Sequence, residues 1–156
     1  MDFDKAIEYG EKAVKQAPHD SGRHFLYGQA LLYSEYFEEA IAAYETAIQL
    51  AAFRPPNYVL PLAWSFIGNK EYDKAIPLLN EILENSQIPW FHSFAYQGLV
   101  VAYELSGNHE KARWAAENVM RVDPKFSVAV DEKQWRQKEG AFKKSIYDAF
   151  RSAGLK

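Results

Sequence analysis

The sequence predicts an all-α fold, a solenoid of antiparallel helix pairs that ends in a C-terminal capping helix. Three observations predict this fold: an alanine that recurs at a near-constant interval, apolar residues spaced as on one face of a helix, and turn residues and prolines that separate the helices. A small alanine returns at Ala6, Ala40, Ala75 and Ala112, at intervals of 34, 35 and 37 residues. Around each alanine the apolar residues recur every three to four positions, as they do on an amphipathic helix. A near-constant interval of this length is typical of stacked helix pairs.

Turn and proline signals divide the chain into a half repeat and three helix pairs. The half repeat is predicted at 3–20, the pairs at 21–54, 56–89 and 93–126, and a C-terminal segment at 127–156, within one domain spanning 1–156. The first helices of the pairs are predicted at 21–34, 57–68 and 90–106. Turn residues end these helices, and prolines separate successive units. Because the chain begins inside a repeat, we expect either a capping helix or the tail of a longer protein.

Stacking of the pairs follows from their size. A pair of helices of about 14 residues cannot bury its apolar face alone, so neighbouring pairs must cover it. Small residues such as Gly28 and Ala40 allow two helix backbones to approach closely. Large residues such as Tyr44, Phe66 and Leu79 are predicted to fill the layer between pairs.

Small, aromatic and proline residues return at set places in successive units. They are Ala6, Ala13 and Pro18; Tyr27, Gly28, Leu31, Ala40, Tyr44 and Ala47; Leu62, Ala63, Phe66, Tyr72 and Ala75; and Leu99, Tyr103, Gly107, Ala112 and Pro124. This pattern, over roughly residues 3–126, resembles the tetratricopeptide repeat, and the resemblance implies that the solenoid is a right-handed superhelix. The resemblance implies a protein-interaction module, but it names no partner because this scaffold serves many.

In tetratricopeptide arrays the first helix of each pair lines a concave groove. The matching positions, which we predict to bind a partner, are Phe25, Gln29, Leu32, Tyr33, Leu60, Trp64, Phe94, Gln97 and Val101. The stretch 57–68 carries no charge, although it contains Pro61. An aromatic, uncharged wall is the form expected of a groove for an apolar peptide or helix. Two alternatives stay open: the C-terminal segment or a second copy of the chain fills the groove. We interpret Trp90, Trp114 and Trp135 as packing residues.

The C-terminal segment breaks the period. A short helix is predicted at 127–137 and a longer one at 140–153, whose apolar stripe suits a cap on the last pair. From Arg121 onward there are nine Lys and Arg against five Asp and Glu, a net charge of +4, whereas the whole chain carries −3. This asymmetry is expected to help the segment dock on its own repeats or on a neighbouring molecule. The ending 150–155 is similar to a closing segment of bacterial adenylate-cyclase-like and regulator-like proteins, which implies the C-terminal arm of a signalling protein.

Other function classes find little support in the sequence. With no cysteine and four scattered histidines, we expect no metal site, no cofactor and no catalytic residues. The acidic balance disfavours nucleic acid, and no apolar stretch is long enough to span a membrane. Because the first residues do not resemble a signal peptide, we expect a cytoplasmic protein. A self-associating scaffold and an RNA-binding helical-repeat protein remain alternatives to the interaction module.

Overall fold

A computed structural model describes residues 2–135 and 138–156, and in those two ranges the only regular structure is helical. The helices are α1 (Phe3–Gln16), α2 (Ser21–Tyr33), α3 (Phe37–Leu50), α4 (Pro56–Gly68), α5 (Tyr72–Asn85), α6 (Pro89–Leu105), α7 (His109–Val122), α8 (Val128–Lys133) and α9 (Ala141–Ser152). The predicted starts of the first helices of the pairs are matched to within one residue. The all-α fold class is confirmed.

Local chemistry explains where the helices begin. Asp20 Oδ1 accepts a hydrogen bond from the backbone N–H of Arg23 at 3.1 Å, and Asn108 Oδ1 accepts one from Lys111 at 3.2 Å. Each side chain thereby satisfies a helix N–H that has no partner within its own helix. The helices α4 and α6 instead begin with a proline, whose missing N–H costs nothing at this position.

The turn inside each pair has the same backbone form three times. Glu35, Lys70 and Gly107 have φ angles of 65°, 62° and 84°, in the left-handed region. Each is followed by a residue whose N–H bonds a carbonyl five positions earlier, for example Tyr36 N to Leu31 O at 2.9 Å. This is the Schellman end of a helix, which most often uses glycine. Only the third turn has the glycine, so backbone geometry repeats more faithfully than sequence.

Helices α2, α4 and α6 form the inner layer of the solenoid, because α4 contacts both of the others directly as well as its own partner helix. Helices α3, α5 and α7 form the outer layer. Close approaches inside the stack use small residues: a Cβ on Gly28 would lie 3.1 Å from the Tyr44 ring, and one on Gly98 would lie 2.9 Å from Leu79. Tyr44 and Leu79 are fully buried, in agreement with the packing role predicted for them.

The C-terminal segment covers the last pair and also reaches the first complete one. Helix α9 packs on α6, where Ser152 Oγ donates a hydrogen bond of 2.6 Å to Glu104 Oε1. At its other end the ring of Phe142 meets the ring of Phe37 edge-to-face, with centroids 4.8 Å apart. Just before α9, the N–H of Lys138 donates to the carbonyl of Tyr33 at 2.9 Å. Helix α9 therefore crosses the inner face from one pair to another.

In the ranges that the structure describes, no ion pair joins this segment to the repeats, and the predicted help of its charge in docking stays a prediction. There the ion pairs of its cations stay inside the segment, as with Arg151–Glu132 and Lys143–Glu139. The docking face of α9 is apolar instead, and Ile146 and Phe150 are almost fully buried. The short helix predicted at 127–137 extends only over Val128–Lys133, and its predicted residues 136–137 lie outside the described residues.

Candidate peptide-binding groove

A cavity of about 470 Å³ lies on the inner face, between the inner helices and the C-terminal segment. Its volume is within the range of about 300–1,000 Å³ typical of ligand pockets. The inner helices contribute Phe25, Gln29, Leu32, Tyr33, Asn57, Leu60, Pro61, Trp64, Trp90, Phe91, Phe94 and Gln97. The C-terminal segment contributes Asp131, Gln134, Trp135, Ile146 and Phe150. We call this cavity the groove.

The structure brings together eight of the nine residues predicted to form the partner-binding site; only Val101 is missing from the lining. Val101 is fully buried, and α9 packs on its helix. It therefore belongs to the core, and the prediction of a groove position at Val101 is wrong. Val101 lies four residues after Gln97, as the predicted spacing requires, but the C-terminal segment packs on this part of α6. The groove is thus shorter than three full pairs.

Aromatic rings dominate the walls. Phe25 stacks on Tyr58 with centroids 4.6 Å apart and planes at 12°, which holds the Phe25 ring in place. Trp90 lies 4.7 Å from Phe94 and is 56% exposed. Such an exposed indole, fixed against a second ring, offers a large apolar surface at little cost in conformational entropy.

The interpretation of the three tryptophans as packing residues is incomplete, because each ring packs on another aromatic ring but Trp90 and Trp114 are also about half exposed and Trp90 and Trp135 line the groove. Trp90 lines the groove and is mostly exposed. Trp114, which is 48% exposed, lies on the outer helix α7 with its ring edge-to-face with Tyr96. Trp135 packs edge-to-face on Tyr147 and also lines the groove, so it has both roles.

Few polar groups interrupt this surface, and most are tied to neighbours. The Gln29 side-chain amide donates to Tyr33 Oη at 3.3 Å, and that of Gln97 donates to Ser93 Oγ at 3.2 Å. Pro61 lies inside α4, which begins at Pro56, so it cannot donate the usual helical hydrogen bond to the carbonyl of Asn57. Since Asn57 and Pro61 both line the groove, that carbonyl lies on the groove side of α4.

Sequence reasoning named the C-terminal segment as one of two alternative occupants of the groove, but it did not place that segment as a wall of the groove. The apolar stripe containing Ile146 and Phe150 was visible in the sequence, but its docking position was not. Trp135 follows the end of α8 and has no helical period to place it. An uncharged stretch in every inner helix could have indicated that something covers part of the inner face.

A second, smaller cleft of about 180 Å³ lies among charged residues of α8 and α9. Its charges pair with each other, as in Lys144–Asp148 and Arg151–Glu132, and are largely exposed, so it has the character of a solvated surface. Throughout residues 2–135 and 138–156, no three His, Asp or Glu side chains are grouped closely enough to hold a metal ion. Among the helices in those ranges, none has the length and apolar composition needed to cross a bilayer.

Comparison with known proteins identifies the repeat. The model of the tetratricopeptide repeat family matches residues 23–53, which span α2 and α3. The resemblance noted from the sequence is thereby confirmed, and the chain has a tetratricopeptide-type solenoid fold. No curated protein matches the sequence significantly.

Solved structures of MamA, a tetratricopeptide-type protein, share this fold. A structure titled "Crystal structure of MamA" has a TM-score of 0.68 at 22% identity and covers 97% of this chain and 86% of that chain. Another, titled "MamA RS-1 ArsTM double mutant", has a TM-score of 0.68 at 15% identity, with coverages of 97% and 83%. At these identities the likeness establishes the fold alone. Repeat and fold together support a protein-interaction or scaffold role, since such solenoids are generally interaction modules and not enzymes.

Proposed function

We propose that this chain is a protein-interaction module that binds a short apolar segment of another protein in the groove. One observation carries the proposal: eight aromatic side chains from two separate parts of the chain converge on a single cavity. Phe150 is almost fully buried, but each of the other seven side chains keeps part of its surface exposed. A ligand that covers this apolar area would gain about 25 cal/mol per Å².

The occupant is a short segment because the C-terminal segment closes one end. Phe150 and Ile146 stand where a longer helix lying along all three pairs would have to pass. The remaining length accepts a few side chains, with Trp64 and Tyr33 as the natural anchors on neighbouring inner helices. Both are half-buried, which places them at the wall with part of each ring free.

A pull-down with matched variants tests this proposal. Wild type is compared with a Trp64→Ala/Tyr33→Ala variant and with a control, Trp114→Ala/Tyr9→Ala, which removes the same two residue types outside the groove. A candidate partner is then purified, and its affinity for the three proteins is measured by calorimetry. We expect the groove variant to lose at least about tenfold in affinity and the control to match wild type. Equal affinity of all three folded proteins would refute the groove as the binding site.

The alternatives raised by the sequence have their own tests. A self-associating scaffold requires a mass that rises with concentration in light scattering, and a constant monomer mass would exclude it. An RNA-binding role requires retention of mixed RNA on a filter at physiological salt. The signalling-protein arm implied by the closing segment and the cytoplasmic location remain predictions.

A further inference from the structure

One charged side chain lies among the described residues of the groove. Among the described residues that line it, Asp131 alone has a formal charge. Its Oδ2 accepts a hydrogen bond of 2.6 Å from the hydroxyl of Tyr147, a fully buried residue. Because the core holds this hydroxyl, the carboxylate is fixed at the groove wall in one orientation.

The surroundings of this carboxylate suit a cation. Trp135 lines the same cavity and packs edge-to-face on Tyr147, with centroids 5.7 Å apart, so an indole and a carboxylate share one wall. Aromatic faces attract ammonium and guanidinium groups through their quadrupole. On the wall formed by α4, the Asn57 carbonyl lacks its helical donor because residue 61 is proline, and it adds an acceptor to the groove lining.

The charges of the residues that line the groove disfavour an acidic ligand. No Lys or Arg of the described residues lines the groove, so a ligand carboxylate would lose its water without gaining an ionic partner. Asp131 would also repel it across apolar walls that screen charge poorly. Among the described residues, charge specificity therefore arises from one carboxylate that attracts a cation and repels an anion.

We propose that the groove recognises a peptide segment in which a Lys or Arg side chain lies among apolar residues. Asp131 and the aromatic wall bind the cation, and Trp64, Trp90 and Phe94 bind the apolar residues. This inference rests on the proposed function and adds the chemical class of the partner. It assigns Asp131 as the residue that determines specificity.

A positional-scanning peptide library tests it with the full chain. The probes are N-acetylated, C-amidated nonapeptide mixtures whose central residue is fixed as Lys, Arg, Gln, Leu or Glu, so that terminal charges do not contribute. We expect the Lys and Arg mixtures to bind about tenfold more tightly than the Gln mixture, with Glu weakest. In Asp131→Asn, which keeps an acceptor for Tyr147, this preference should disappear while binding of the Leu mixture is unchanged.

Asp148→Asn is the matched control, since Asp148 is an exposed carboxylate of α9 that pairs with Lys144 outside the groove. It should keep the wild-type preference. If Lys, Gln and Glu mixtures bind wild type equally, or if Asp131→Asn keeps the preference, the assignment is overturned and the groove itself remains. If no mixture binds, the assignment and the proposed groove fail together.

Discussion

Substitution of Gly68 by alanine tests how closely the first two complete pairs pack. A Cβ at Gly68 would lie 2.3 Å from both Cδ1 and Cε1 of Phe37, which begins α3. Favourable carbon contacts lie at about 3.5–4.0 Å, so the ring would have to move by about 1.2 Å or more. The ring is not free to do so, because its other side meets Phe142 of α9.

The magnitude follows from two opposing effects. Forcing an extra methyl group into a packed layer costs about 1–3 kcal/mol of folding free energy. Alanine is favoured over glycine inside a helix by about 0.5–1 kcal/mol, and less here because Gly68 is the last residue of α4. We therefore expect Gly68→Ala to reduce the free energy of unfolding by about 1–2 kcal/mol.

Urea denaturation followed by circular dichroism measures this change. Gly22→Ala is the control, since a Cβ there would meet only Asp20 Oδ1, at 3.3 Å, so that this exposed N-cap side chain has to shift by only a few tenths of an ångström. It should alter stability by less than about 0.5 kcal/mol. Adding Phe37→Leu to Gly68→Ala should cost less than the two single changes combined, because the two residues share one contact. A Gly68→Ala protein as stable as wild type would refute the reasoning.

Three further predictions concern other parts of the chain. Lys70 has a φ angle of 62°, which glycine adopts more readily than lysine, so Lys70→Gly should raise the free energy of unfolding by about 0.5–1 kcal/mol. Gly107→Ala should lower the free energy of unfolding for the converse reason, and calorimetry measures both changes. Tyr44→Phe should leave stability unchanged or raise it by about 1 kcal/mol, since burial raises the pKa of Tyr44 and, among the described residues, none hydrogen-bonds its hydroxyl. A clear loss of stability in that variant would reveal a bonded hydroxyl. Burial would raise the pKa of Glu104, but hydrogen bonds from Ser152 and His109 outweigh it and hold that pKa below its ordinary value of 4.5. The Glu104 carboxylate therefore contributes fully to the free energy of unfolding above about pH 4.5, and this contribution is lost as the pH falls through the lower pKa of the folded protein. Glu104→Gln should accordingly reduce the loss of stability that a plot of unfolding free energy against pH shows at acidic pH.

Much of the fold could be predicted because its contacts are local in sequence. The alanine interval and the apolar period describe helices that pair with their neighbours in the chain, so one unit predicts the next. The eight groove residues on α2, α4 and α6 follow from the same logic, since positions four apart share one helix face. The turns show where prediction from local sequence fails, because Glu35 and Lys70 adopt a left-handed backbone conformation for which glycine would be expected.

What the sequence by itself determined is therefore the solenoid and which faces of its inner helices are apolar and uncharged. The tertiary structure decided what covers those faces. It placed α9 across α6, which buries Val101, and brought Asp131 and Trp135 to the groove from more than 30 residues beyond the inner helix residues Phe94 and Gln97. The physical reason is that an amphipathic helix such as α9 has an apolar stripe that specifies burial but not a partner. Only the shape and packing of the finished repeats select the surface on which it docks.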